Sequence, residues 1–411
     1  MDRVYDVIVI GAGASGLMAA GTAARAGRDV LLLERNERPG RKLGITGRGR
    51  CNITNNCGRD EFLRSVARNP RFLYAALDAL DAQAAMAFFE SLGLSLVTER
   101  GNRVFPASQR ARDVIDALTD WCRREGVRLR QGCTVTGLRM EEGSVTGVET
   151  DAGAFSSAAI ILATGGMSYP ATGSTGMGYA FARQAGHSVT ALAPSLVPLR
   201  SDDPCCGAMQ GLSLKNVSIS VTRAETGGNK TLYRDFGEML FTHCGVSGPV
   251  VLSASSHLCG AMPCTLHIDL KPALEEQRLD ARLLRDFTDR ANKQLPSALA
   301  GLLPQSMIPV IIERSGIPRQ TPAHSVTRTQ RRTLVSLLKD FSIRITGTHP
   351  IEEAVITSGG VDVREIEPGT MRSKRVRGLS FCGEILDVDA YTGGFNLQIA
   401  WSTGYLAGLH A

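Results

Sequence analysis

The 411-residue chain reads as an α/β protein in which a glycine-punctuated parallel-sheet domain is split by an inserted β-rich segment and a small helical one. An apolar, β-branched run over 4–10 meets glycines at 11, 13 and 16, then a helical stretch and a second apolar run over 29–33. The same strand–glycine–helix character returns after residue 351. Between them the pattern first alternates, as in Leu212, Leu214, Val217, Ile219 and Val221, and then turns glycine-poor with Leu, Arg and Lys at helical spacing. The expected organisation is therefore 1–193 with 350–411 as one discontinuous domain, 194–270 with 341–349 as the β-rich domain, and 271–340 as the helical insertion.

The elements follow in order. Residues 4–10 form a strand, Ser15–Ala26 a helix stopped by Gly27, and 29–33 a second strand ending on Glu34. Residues 36–60, rich in Gly, Arg and Asn, read as an extended loop, and a loop of that length in a compact domain is usually functional or disordered. Leu73, Leu77, Leu80, Ala84, Phe88 and Leu92 mark one amphipathic helix over 71–92; Arg110–Glu125 is another. Short strands begin near Val127, and Ala158–Ala163 is a buried strand that breaks on Thr164-Gly165-Gly166.

Composition excludes several classes. The chain has 44 glycines without a Gly-X-Y period, 43% apolar and 21% charged residues, and a net charge of +6, a field that permits an anionic partner without requiring one. Ten cysteines include no Cys-x-x-Cys; Cys205 and Cys206 are adjacent, Cys259 and Cys264 lie five apart, and reduced thiols in a cytoplasmic protein are the plain reading. Asp6 and the early glycines interrupt the apolar N-terminus, so neither a signal peptide nor a membrane span is expected, and no metal site is read.

Gly11-Ala12-Gly13-Ala14-Ser15-Gly16 is a phosphate-binding turn in the right context. Gly11 makes the turn, Gly13 lets backbone approach a pyrophosphate, Gly16 lets helix and strand pack, and the helix amides at Ala14 and Ser15 face the anion. Glu34, eighteen residues after Gly16, is placed to accept from a ribose 2′-OH. Two further segments decide for FAD as the dinucleotide: the strand running into Ala163-Thr164-Gly165, and the late strand ending in Gly383-Glu384 with Asp387 after it. Gly393-Gly394-Phe395-Asn396 then precedes a helix from Leu397, whose N-terminal amides at Asn396 and Leu397 suit an anionic reduced flavin. The fold expected is a glutathione-reductase-like, Rossmann-like FAD domain, and Arg35 and Val135 join the candidate cofactor set.

Arg41-Lys42, Thr46–Asn55, Arg103–Pro106, Ser168–Gly176, Leu240–Pro249, Thr357–Val361 and Gly383–Asp389 together resemble a bacterial NAD(P)/FAD-dependent oxidoreductase family, also known as aminoacetone-oxidase-like. The resemblance spans nearly the whole chain and implies the same three-part architecture. It also implies that the signature loop, Arg41 to Asn55, packs along the flavin, and Arg41, Lys42, Arg50, Cys51 and Asn52 enter the candidate cofactor set as members of that loop. Met177 departs from it, since the family usually has Asp there, which removes any role for an acid at that point. Activities attached to such proteins include amine oxidation, saturation of a uracil ring in ribosomal RNA, and reduction of the conjugated double bonds of 3-oxo bile-acid intermediates. The last two share hydride delivery to the β-carbon of a carbonyl-conjugated C=C, a hydrogen-bond donor for the carbonyl oxygen, and a proton for the α-carbon.

Tyr169, His243 and Tyr391 are the candidate donors. Arg328, Arg331 and Arg332, with Lys374, Arg375 and Arg377, form basic clusters, but only Phe341 lies near the first as a stacking aromatic, so solvated faces are the plainer reading. The expected function is reduction of a carbonyl-conjugated C=C in a hydrophobic small molecule such as a 3-oxo-Δ4 steroid. With only one dinucleotide fingerprint, NAD(P)H would dock transiently as electron donor. The alternatives are a dihydrouridine synthase gripping rRNA, an amine oxidase, and a non-catalytic FAD-binding RNA or ribosome-assembly factor.

Overall fold

A computed structural model describes residues 3–226, 228–258 and 260–411; Cys259 lies outside the described residues. The chain folds into two compact units, one built from the residues up to Ser195 together with Ile351–Ala411, the other from Leu196–Pro350.

The first unit is organised by a five-stranded, wholly parallel sheet in the order Leu379–Phe381, Ile160–Leu162, Val7–Ile10, Val30–Leu33, Arg128–Arg130. The central strands Val7–Ile10 and Val30–Leu33 are buried at every position, which is why both read as unbroken apolar runs. Helices Ala14–Arg25 and Phe395–Leu409 pack together so closely that a Cβ on Gly404 would lie 2.4 Å from the Ser15 carbonyl. The expected strand over 4–10 is two pieces. Asp6 accepts from the Asp29 amide and turns the chain, so Val4–Tyr5 pairs instead with Gly153–Ser157 of a separate four-stranded sheet.

Two other expectations need correction. The helix over 71–92 is broken into Pro70–Ala79 and Ala82–Ser91, bent by 41°. Asp81 caps the second piece by accepting from the Ala84 amide, while the freed Leu80 carbonyl accepts from Gln398 and Ser402 of the C-terminal helix. Tertiary partners for one carbonyl thus outweigh helical periodicity. The stretch 36–60 is not an extended loop either. It coils into the helix Arg41–Ile45 and the 3-10 turn Thr46–Gly49, then adds Thr54–Asn55 to a small sheet with Arg103–Pro106 and Leu96–Glu99. No single helix among the described residues is long and apolar enough to cross a membrane.

The second unit holds a seven-stranded antiparallel sheet in the order Phe341–Ile345, Cys264–Asp269, Ser213–Glu225, Gly228–Thr242, Gly245–Ser247, Leu199–Arg200, Gly347–Thr348. The helices Glu276–Asp289, Leu295–Leu299, Ile308–Ser315 and Arg328–Lys339 bury Leu283, Ile311 and Leu334 in the same core as Ile219, Leu266 and Ile343 of the sheet. The β-rich and helical stretches therefore share one core.

Candidate functional site

The phosphate turn sits at the end of Val7–Ile10 and opens the helix Ala14–Arg25. Gly11 has φ +99°, and a Cβ on it would lie 2.6 Å from the Ala163 carbonyl; one on Gly16 would lie 1.8 Å from the Gly11 carbonyl. Neither position admits a side chain. Gly13 differs: a Cβ there would meet nothing within 4 Å, and no side chain caps the helix amides beyond it. The turn therefore presents bare backbone N–H groups to open space, which is what a pyrophosphate requires.

Glu34 is buried beside this turn. Its Oε2 accepts from the Ala12 amide at 2.8 Å, and its Oε1 accepts from the Asn36 backbone amide at 2.8 Å and from Asn36 Nδ2 at 2.6 Å. Each carboxylate oxygen has more than one lone-pair site, so a ribose hydroxyl remains compatible with these bonds. Arg41 donates to Asn36 Oδ1 and Arg35 to Thr175 Oγ1, so these candidates reach the same corner. Asn36 Nδ2 also donates to the Thr172 carbonyl, bringing the loop after Ser168 to Glu34. Val135 is buried at the start of its strand, just beyond Cys133, whose amide donates to the Glu34 carbonyl. Asn36 was not anticipated; its only signal was its place two residues after the strand-end acid.

The late strand brings Gly383, Glu384 and Asp387 to the other side of the fingerprint helix. The Ser15 hydroxyl donates to the Cys382 carbonyl at 3.4 Å, and the Gly383 amide donates to Thr403 Oγ1. Glu384 is the centre of a knot: Lys42 Nζ donates to both its oxygens at 2.9 and 2.6 Å and to Ser168 Oγ at 2.6 Å. Ser168 Oγ and the Thr357 amide donate to Glu384 Oε1 as well. Asp387 takes a two-pronged contact from Arg68 at 2.7 and 3.0 Å. Asp389, buried, accepts from the hydroxyls of Ser195 and Ser358, and burial pushes its carboxyl up to about 6. Arg68 gave no sequence signal, and Asp389 only its place at the end of the Gly383–Asp389 segment.

The signature loop is tied to the C-terminal helix. Thr54 Oγ1 donates to Gln398, Trp401 Nε1 to the Ile53 carbonyl, and Asn55 Nδ2 to the Gly393 carbonyl. Gly394, at φ +101°, caps the helix Phe395–Leu409, two residues earlier than the sequence suggests, and Asn396 clasps the Ala390 amide and carbonyl. Leu397 follows on the first turn. Arg50 stacks on Phe105 at 4.0 Å and pairs with Glu99 and Gln109, bonds that anchor the loop. Cys51 is fully buried, its thiol pushed up to about 12 by burial, and it is a free cysteine, as is Cys57. Buried Asn52 Oδ1 and Thr164 Oγ1 have no protein partner, and Gly165 sits beside Ser174.

Bare amides at the turn, an acid at its flank and orphaned polar atoms at Asn52 and Thr164 make a donor and acceptor set that fits a flavin dinucleotide. Of the candidate donors, Tyr169 holds φ +52° at the head of the turn Pro170–Thr172, and Tyr391 lies before Gly393; both belong to the first unit. Cys51 and Arg48 share Tyr169's left-handed backbone, as do residues outside the motif loops such as Glu142 and Met371. His243 is exposed in the second unit, in the turn between Gly228–Thr242 and Gly245–Ser247.

A family model described as the HI0933-like protein Rossmann domain matches residues 5–410. The chain is 32% identical to a 3-dehydro-bile acid delta(4,6)-reductase of Clostridium scindens, with 97% of each chain covered. It is 31% identical to a ribosomal RNA dihydrouridine synthase of Escherichia coli, covering 98% of this chain and 97% of the relative. Among solved structures, the 3-ketosteroid delta1-dehydrogenase of Sterolibacterium denitrificans shares the fold at a TM-score of 0.53 and 13% identity, over 99% of each chain. With its parallel-sheet unit, its phosphate turn and a full-length match to a reductase, the chain is an oxidoreductase and belongs to the HI0933-like Rossmann-domain family.

Proposed function

We propose that this protein is an FAD-dependent reductase of a C=C bond conjugated to a ketone, acting on a steroid-like small molecule, with a 3-oxo-Δ4 bile-acid intermediate as first choice and NAD(P)H as electron source. The observation that carries it is the open face of Gly13 at an uncapped helix N-terminus, in the unit where the signature loop is pinned to the C-terminal helix. FAD, when bound and reduced, supplies hydride to the β-carbon. The chain's own tasks are then to hold the diphosphate at Ala14 and Ser15, the ribose at Glu34, and the substrate ketone against a hydrogen-bond donor. Tyr169 is the first candidate for that donor, because its backbone is held in a conformation that a packed loop aromatic does not need. Tyr391 is the second, and His243 the third. The substrate class rests on the Clostridium scindens relative.

A second reading, uridine reduction in rRNA, has the Escherichia coli relative's name in its favour. Against it, Arg331 is spent on Asp280 at 2.6 and 3.1 Å, Arg375 on Glu365 and Arg377 on Ser144. These three are engaged within the protein, which leaves Arg328, Arg332 and Lys374 as the other cluster members, with no carboxylate pair among the described residues. The test is anaerobic: protein reduced with NADH or NADPH is mixed with a 3-oxo-Δ4 steroid or a uridine-containing rRNA fragment, and a simple amine is mixed separately with the oxidised protein, where flavin bleaching would instead mark an amine oxidase. Flavin reoxidation by the steroid alone is expected, slowed about a hundredfold in Tyr169→Phe. Reoxidation by the RNA, or no bleaching with either nicotinamide, overturns the reading.

A further inference from the structure

The second unit carries a cavity of about 750 Å3 that none of the motifs uses. Its wall is apolar, from Phe236, Leu270, Pro272, Leu274 and Leu302, and the Phe236 ring is 57% exposed there. Three polar side chains reach it: Lys271, Arg282 and Asn216. Asn216 lies in a bulge where Lys215 and Asn216 interrupt the register between Leu214 and Val217, a distortion that re-aims side chains.

Lys271 is the unusual member. Its backbone is fixed: its amide donates to Asp269, and its carbonyl accepts from Lys339, which also bonds the Leu274 carbonyl and pairs with Asp269 at 2.5 Å. Its ammonium is half-buried, yet among the described residues no carboxylate lies within ion-pair distance of it. Burial and then the Arg282 guanidinium push it below the usual lysine range. Arg282 gives its Nε to Asp286. Lys271 is thus a cation in an apolar hollow with no carboxylate of its own, beside a guanidinium already paired through Nε with Asp286, an arrangement that costs free energy until an anion arrives.

We propose that this cavity binds an amphipathic carboxylate, its hydrocarbon body against Phe236, Pro272 and Leu302 and its carboxylate on Lys271 and Arg282. A guanidinium fork and an ammonium match the two oxygens of a carboxylate, and the volume lies within the usual range for small-molecule sites.

Equilibrium dialysis of radiolabelled decanoate against the flavin-loaded protein tests it. Decanoate is expected to bind at one site per chain, about tenfold more tightly than decan-1-ol, with Lys271→Gln and Phe236→Ser each weakening it about tenfold. Lys271→Arg is expected to restore binding, and Lys374→Gln, remote in sequence and in the first unit, to leave it unchanged. Phe236 is exposed, so its variant keeps the fold if Lys271→Gln does not. Equal binding of decanoate by the parent and Lys271→Gln, tighter binding of decyl phosphate than of decanoate, or displacement of decanoate by a steroid enone would each overturn the assignment.

Discussion

The two flanks of the fingerprint helix are prepared for a ligand in opposite ways. At the phosphate turn, side chains are missing: Gly13 faces open space, the helix amides are uncapped, and Glu34 is held by backbone and Asn36. At the late strand, side chains are everywhere engaged: Glu384 by Lys42, Ser168 and the Thr357 amide, Asp387 by Arg68, Asp389 by two serines. The first flank creates affinity by leaving hydrogen-bond donors unsatisfied; the second creates rigidity by satisfying them. A substitution on the first flank should therefore remove ligand and spare the fold, while one on the second should act on the fold first.

The largest effect is expected at Gly13. Its φ of −81° is ordinary for any residue, so Gly13→Val adds no positive-φ strain, and its Cβ meets no protein atom within 4 Å. The valine would fill the space the diphosphate needs. FAD affinity should fall by about two orders of magnitude, measured by flavin fluorescence on dialysis, while the apoprotein melts within about a degree of the parent. A variant that retained its flavin would mean that the open face serves something else.

Asp389 comes next. Burial raises its folded pKa to about 6 from an ordinary 3.8, with Asp387 adding to the rise and Ser195, Ser358 and Arg68 opposing it. A raised acid contributes stability that is whole below about pH 4 and is lost as pH climbs through 6. The linked loss is at most about 3 kcal/mol, since a unit of pKa is worth about 1.4 kcal/mol. Asp389→Asn lacks this titration, so its denaturation midpoint should gain on the parent's between pH 4 and 6 and run parallel above 7. A constant difference across that window would place the titrating group elsewhere.

These two flanks were unequally legible. The phosphate turn could be read because its chemistry lies in a local string, Gly11 to Gly16, with Glu34 at a fixed distance. The parallel sheet was readable because full burial makes Val7–Ile10 and Val30–Leu33 uniformly apolar. The late flank offered Glu384 and Asp387 as types but not their partners, because Lys42 and Arg68 lie more than three hundred residues away in sequence. The break at Leu80 was hidden for the same reason: helical spacing continues through it, and the groups that claim its carbonyl, Gln398 and Ser402, are remote. Nor does alternation reveal that the inserted sheet and helices share one core.

The smallest expected effect is at Lys42, and it separates the two flanks most cleanly. Both partners of the Lys42–Glu384 pair are about one-fifth exposed, which sets it between a surface pair and a buried one. Lys42→Met leaves the Glu384 carboxylate with Ser168 and the Thr357 amide but no cation, and should cost about 2 kcal/mol in urea unfolding of the apoprotein. Glu384→Gln alone should cost a similar amount by stranding the ammonium. The double variant should cost less than the sum, because each change removes the group the other stranded. If the pair is instead held for the flavin, the apoproteins will unfold alike and the coupling energy will appear only in FAD affinity. Lys42 would then belong with Gly13, on the flank that is built for its ligand.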